Sequence, residues 1–107
     1  MRTIYISGPM SGYPIFNFPA FCYHAERFRR EGWDVVNPAE IDIKKMLDGW
    51  EYSKDQYREI LEEDKRLIRE ECDAVFMMKG WIDSNGAMEE YNEAVNNNLM
   101  VMFEEGG

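Results

Sequence analysis

The chain has 107 residues, enough for one compact domain (residues 1–107) and too few for two. Hydrophobic residues make up 45% and aromatics 14%, which supports a packed core and argues against disorder. A formal charge of -9, from 21 acidic against 12 basic residues, excludes a surface built for a nucleic-acid polymer, which needs clustered Lys and Arg; a single nucleotide stays open, because backbone N–H groups can hold one locally.

The first residues already read as a strand. No basic segment precedes an apolar one, and no apolar stretch is long enough for a bilayer, so a soluble cytoplasmic protein without a membrane partner is expected. Thr3-Ile-Tyr-Ile-Ser7 has the β-branched and aromatic content of a short strand. The turn cluster Gly8-Pro-Met-Ser-Gly12 follows. Asn17 is the expected N-cap of a first helix, with Pro19 in its first turn. Phe18, Phe21, Cys22, Ala25 and Phe28 recur at helical spacing, and Gly32 is a fitting stop. A second strand over 33–36 ends at Asn37-Pro-Ala-Glu40. Residues 41–52 read as a short helix or a folded loop, with a lid as one role, on the pattern of Ile43, Met46, Leu47 and Trp50.

Ser53-Lys-Asp-Gln56 matches a capping box and predicts the start of a long helix, striped by Tyr57, Ile60, Leu61, Leu67 and Ile68. Cys72-Asp-Ala-Val-Phe-Met-Met78 reads as a strand buried on both faces. A last helix is expected from about residue 86 to 97, with Ala87, Tyr91, Ala94 and Val95 inward, and a last strand over 99–103. Alternating strands and helices imply a parallel sheet covered on both faces. The fold class is thus α/β, a small flavodoxin- or Rossmann-like three-layer sandwich with a four-stranded parallel sheet, five strands being the alternative. In such sheets ligands bind outside the carboxyl ends of the strands. The loops 8–12, 37–40 and 80–86 should therefore face one crevice.

Candidate chemistry concentrates around that crevice. Asp64 fills the gap in the stripe 57, 60, 61, 67, 68, and a carboxylate there is costly unless paired or used. It is either a functional acid or a cap for a neighbouring loop's N–H groups. On the last helix Glu90 borders the inward face, about 60° from Ala87, while Glu89, Glu93 and Asn96 lie on the far side. Glu90 is the acid that would enter the crevice; solvated acids near a helix N-terminus are the plain alternative. Gly8, Met10, Ser11 and Gly12 lie in a loop whose N–H groups could cradle an anion, although it is neither a P-loop nor Gly-x-Gly-x-x-Gly. Ser84 can cap the last helix, bind a ligand, or do both. Tyr5 inside the first strand needs a partner for its phenol. Trp81, Tyr13 and Phe16 are loop aromatics that either stack on a flat ring or pack locally. Cys22 and Cys72 are expected as reduced, packed thiols. His24 is the only histidine, so neither a metal nor a cofactor is expected.

Taken together, Thr-Ile-Tyr5-Ile-Ser-Gly8-Pro-Met-Ser-Gly12, Asp64, Cys-Asp73-Ala-Val and Ser84-Asn-Gly86-Ala-Met-Glu-Glu90 with Ala94 resemble the nucleoside 2-deoxyribosyltransferase superfamily, in a small, mostly uncharacterised branch common in bacteria and phages. Characterised relatives cleave the N-glycosidic bond of deoxynucleosides or nucleoside monophosphates. The resemblance implies that Glu90, four residues after the turn glycine Gly86, is the nucleophile. It implies that Asp64 contacts the base or assists its departure, and that Tyr5 orients Glu90. In relatives that hydrolyse 5′-monophosphates a serine at the position of Ser84 binds phosphate, and Met10, Ser11 and Gly12 would help. Relatives acting on free nucleosides tend to carry an acid at that position, and the monophosphate hydrolases often carry an arginine in the first loop; this chain has neither. Nucleoside and monophosphate both stay open. The resemblance further implies a homodimer or homotetramer, with a neighbour closing the pocket. The alternative function is a non-catalytic module that binds or sequesters a nucleotide in the same crevice.

Overall fold

The structure is a computed structural model that describes residues 2–49 and 54–105. Four strands, β1 (Thr3–Ser7), β2 (Asp34–Val36), β3 (Ala74–Met77) and β4 (Met100–Phe103), form one parallel sheet in the order β2-β1-β3-β4. The helices are α1 (Phe18–Arg30), α2 (Pro38–Leu47), α3 (Lys54–Glu71) and α4 (Asn85–Asn96), with single 3-10 turns over Pro14–Asn17 and Trp81–Asp83. The expected α/β sandwich is thus present, with four strands among the described residues. Among the described residues, no helix is long and apolar enough to cross a membrane.

Strand alternation splits the core in two. Ile4, Ile6, Ala74, Phe76 and Met78 pack against Phe18, Phe21, Ala25 and Phe28 of α1 and Ala39 of α2. Tyr5, Val75 and Met77 point the other way, onto Ile68 of α3 and Ala87 and Ala94 of α4. Every residue of β3 is buried, as its unbroken apolar run requires in a strand covered on both faces. At the amino end of the sheet, β1 and β3 are tied by Asp73, which donates its N–H to the Thr3 carbonyl (2.8 Å) and receives the Thr3 N–H on Oδ2 (2.9 Å).

The strand order reverses about β1. After β1 the chain crosses to β2 on one side; after β2 it returns past β1 to β3 on the other. The loops following β1 and β3 therefore part at a topological switch point, where such sheets leave a crevice. Gly8 lets the two loops approach: a Cβ there would meet Met78 Cε at 2.6 Å.

Several local expectations change. Asn17 stands at the N-cap position of α1 but does not cap it. Ile15, Phe16 and Asn17 all have left-handed φ, and the Asn17 amide instead donates to the Pro9 carbonyl at 2.9 Å, pinning the first loop. Asn37 is a cap as well as a strand stop: its Oδ1 accepts from Ala39 N at 3.0 Å, and Pro38 occupies the first turn of α2. Residues 41–47 thus belong to a capped helix; the rest of the stretch 41–52, apart from Asp48 and Gly49, lies outside the described residues, as does Ser53 of the expected capping box. Val95, placed inward by sequence, is 46% exposed, because α4 rests on the sheet through the small residues Ala87 and Ala94. Cys22 and Cys72 are free thiols.

Candidate active site

Glu90 lies on α4 five residues past Asn85, on the helix face turned to β1, and only 6% of it is exposed. A buried carboxylate needs donors, and β1 supplies two. Tyr5 Oη donates to Glu90 Oε2 at 2.7 Å, and Ser7 Oγ donates to Oε1 at 2.6 Å. Residues 5 and 7 share one face of the strand by its period of two. An ionised carboxylate offers about four lone-pair sites, so two remain for a ligand. Tyr5 is fully buried, and burial, with the charges of Glu90 and Asp64, holds its phenol well above the usual pKa. It therefore stays a donor across the working pH range.

Asp64 sits on α3 at the gap in the apolar stripe, between Leu61 and Ile68, with 9% exposure. It lines the same cleft as Glu90 and Tyr5. A third carboxylate, Asp42 of α2, 2% exposed, faces this cleft too. Burial pushes Asp64 up to about 8, with the charges of Glu90 and Asp42 adding to the effect. Burial also pushes Glu90 up, to about 7, against the pull of the Ser7 and Tyr5 hydroxyls. Like charges in one dry site cannot all ionise. Near neutral pH the Asp64–Glu90 pair thus retains about one proton. We place it on Asp64, because two hydroxyls donate to Glu90 and stabilise its ionised form. An ionised carboxylate beside a protonated acid is an arrangement suited to covalent catalysis with general-acid help.

Glu89, the next residue, has a different environment. It receives both Arg58 guanidinium nitrogens (2.9 and 3.0 Å) and lies 3.3 Å from Lys65 Nζ, an ion-pair cluster that holds it on the outer surface and below the usual carboxylate range. One step of 100° along α4 separates these two roles.

The cleft has two connected compartments. The inner one, about 490 Å³ with its open mouth, holds Tyr5, Asp42, Asp64 and Glu90 together with Gly8, Met10, Ser11, Tyr57, Ser84 and Gly86. The outer one, about 750 Å³ including open solvent, is lined by Pro9, Tyr13, Gly80, Asp83 and Asn85. Met10, Ser11, Tyr57 and Ser84 belong to both and form the waist between them. Ser84 caps α4 by accepting from Ala87 N at 3.2 Å, and its hydroxyl proton stays available to the waist. At Gly86 a Cβ would stand 2.5 Å from Tyr57 Oη, so a side chain there must displace the tyrosine ring.

Among the residues singled out by sequence, Tyr5, Asp64, Glu90, Gly8, Met10, Ser11, Ser84 and Gly86 line the inner compartment. Gly12 sits outside it, at the exposed corner of the first loop with φ 83°. Trp81 is also outside, stacked on Tyr91 (4.9 Å between centroids) and against Phe103. Ser7, Asp42 and Tyr57 were not singled out as site residues. Ser7 was readable as the same-face neighbour of Tyr5. Asp42 lies between the buried Ala39 and the half-buried Met46 on one helical face, the same signature that marked Asp64.

Comparison with known proteins gives a family without an assigned activity. No curated protein matches the chain. A family described as "Domain of unknown function (DUF4406)" matches residues 2–103, which includes every residue of the cleft. The chain belongs to that family.

Proposed function

We propose that this domain cleaves the N-glycosidic bond of a small deoxynucleoside or its 5′-monophosphate, by hydrolysis or by transfer to a second base. The observation that carries the reading is the environment of Glu90, a buried carboxylate held by two hydroxyl donors in a cleft that it shares with the buried carboxyl of Asp64. The motif likeness to nucleoside 2-deoxyribosyltransferases supports it.

The residues suit a two-step displacement. As the C1′–N bond breaks, the Asp64 proton passes to the departing base nitrogen, and Glu90 bonds to C1′. Positive charge developing at C1′ faces the Glu90 carboxylate, as in retaining glycosidases. Asp64, now ionised, takes a proton from water, whose oxygen displaces Glu90 and leaves free deoxyribose, or deoxyribose 5-phosphate from the monophosphate. In transfer a second base takes the place of water. Tyr5 and Ser7 hold the carboxylate plane throughout. In this reading a second copy of the chain closes the mouth, where Tyr13 and Ile15 are exposed, giving a dimer or tetramer that light scattering would register.

The test is release of free base from a panel of deoxynucleosides and their monophosphates, followed by chromatography, for wild type and Glu90→Gln. Base from wild type and none from the variant is the expected result. Binding without base release sinks the enzyme reading and leaves a nucleotide-sequestering module.

A further inference from the structure

In the proposed binding mode a nucleoside places C1′ at Glu90 and its base at Asp64, in the inner compartment. Its 5′ end must then pass the waist at Met10, Ser11, Tyr57 and Ser84 into the outer one. The groups met on that path are acids and hydroxyls. Asp42, Asp64 and Glu90 lie inside, Asp83 outside, and no Lys, Arg or His lines either compartment among the described residues. Of the described cations nearby, Arg58 and Lys65 lie on Glu89 at the outer surface, and Lys45, close enough to act on Asp64, lines neither compartment.

The amino end of α4 favours negative charge. Asp83, immediately before the Ser84 cap, already supplies it. A phosphate dianion would therefore meet a carboxylate where phosphate sites usually place an Arg or Lys. A neutral hydroxyl fits better, because it can donate to Asp83 and accept from the free proton of Ser84 Oγ.

We infer that the substrate of this cleft is an uncharged deoxynucleoside with a free 5′-hydroxyl, and that its acidic lining turns away the 5′-monophosphate. This narrows the proposed function and rests on it. The lining thus selects by repulsion as well as by fit. Like charges brought together across a confined site lower occupancy by orders of magnitude, and salt weakens the effect at the open mouth.

The experiment compares kcat/KM for a deoxynucleoside and its own 5′-monophosphate, with equilibrium dialysis of both against the wild-type protein. We expect the nucleoside to be favoured by about 100-fold. The ratio should narrow in Asp83→Asn and at high salt, while an Asp34→Asn control on β2 leaves it unchanged. Equal use of the two substrates, or preference for the monophosphate, overturns the inference while the glycosidase reading stands. Tighter binding of the monophosphate without turnover overturns both and favours sequestration. Failure to bind or cleave either compound also removes both.

Discussion

Tyr5 and Glu90 are separated by 85 residues, yet a 2.7 Å hydrogen bond joins them. The bond links the central strand to the last helix, so closing the fold is also what completes the site. Both groups are buried, so they depend on partners within the protein: Tyr5 serves Glu90 Oε2 while Ser7 serves Oε1.

Glu90 and Glu89 should separate cleanly on substitution. Glu90→Gln keeps the shape and can still accept from Tyr5, but it loses the nucleophile. Base release should fall by about 1000-fold or more. Glu89→Gln loosens an exposed ion-pair cluster with Arg58 and Lys65 and should change activity less than about threefold. A Glu89 effect as large as that of Glu90 would reverse the assignment.

Ser7→Ala and Tyr5→Phe each remove one donor from the buried carboxylate. Glu90 should become harder to ionise, so the acid limb of the kcat/KM profile moves to higher pH. Loss near pH 6 should be about 10- to 100-fold for each. The double variant measures their coupling. Loss of activity with an unmoved pH profile would mean the hydroxyls act only on the substrate.

The proposed mechanism requires Glu90 ionised and Asp64 protonated. With Glu90 raised to about 7 and Asp64 to about 8, kcat/KM should be bell-shaped with its maximum between them. Asp64→Asn should remove the alkaline limb and leave the acid one. A profile unchanged by that substitution would take Asp64 out of proton transfer.

The same groups make stability depend on pH in the direction opposite to that of an ion-paired acid. Both carboxyls have folded pKa values above their unfolded ones, so the folded state binds more protons than the unfolded state across that interval. Their favourable contribution is complete below about pH 4 and is lost as pH rises towards 7 and 8. Tm should therefore fall between pH 5 and pH 8, on the order of 5 °C. Asp64→Asn should flatten the slope. A wild-type Tm that rises across this range, with an equal rise in Asp64→Asn, would show that these carboxyls do not govern it.

Gly86→Ala places a methyl group against the Tyr57 hydroxyl. Alanine is the better helix former by about 1 kcal/mol, but the ring must move to admit it. In the Tyr57→Phe background the nearest remaining ring atom is 3.7 Å away, an ordinary contact. Calorimetry should find Gly86→Ala more stabilising with Phe at position 57 than with Tyr. Equal effects in both backgrounds would show that Tyr57 does not rest on α4.

Much of the architecture was readable because periodicity encodes faces. Two-residue alternation in β1 and a continuous apolar run in β3 set the layers. Helical phase distinguished Glu90 from Glu89, and the gap in the α3 stripe marked Asp64 as buried. Asp42 escaped because α2 begins at a proline that read as the end of a strand, leaving too few residues to show a stripe. The aromatic residues were the least legible. Trp81 and Tyr57 both flank the crevice in sequence, but Trp81 found flat partners in Tyr91 and Phe103, whereas Tyr57 was left at the waist. That choice depends on packing among β4, α4 and the loop after β3, which no local pattern records.

Ala87 and Ala94 flank Glu90 on the face of α4 that meets the sheet, and both are buried. Their methyl groups act as a spacer of fixed thickness between helix and strand. The reach of the Glu90 carboxylate to Tyr5 and Ser7 is gauged by that spacer, since nothing covalent ties the two elements together nearby. A larger side chain at position 94 would lift the helix and stretch both hydrogen bonds at once, disarming the carboxylate from a position that never meets substrate. The spacing that the proposed chemistry needs is thus set by two alanines behind the carboxylate.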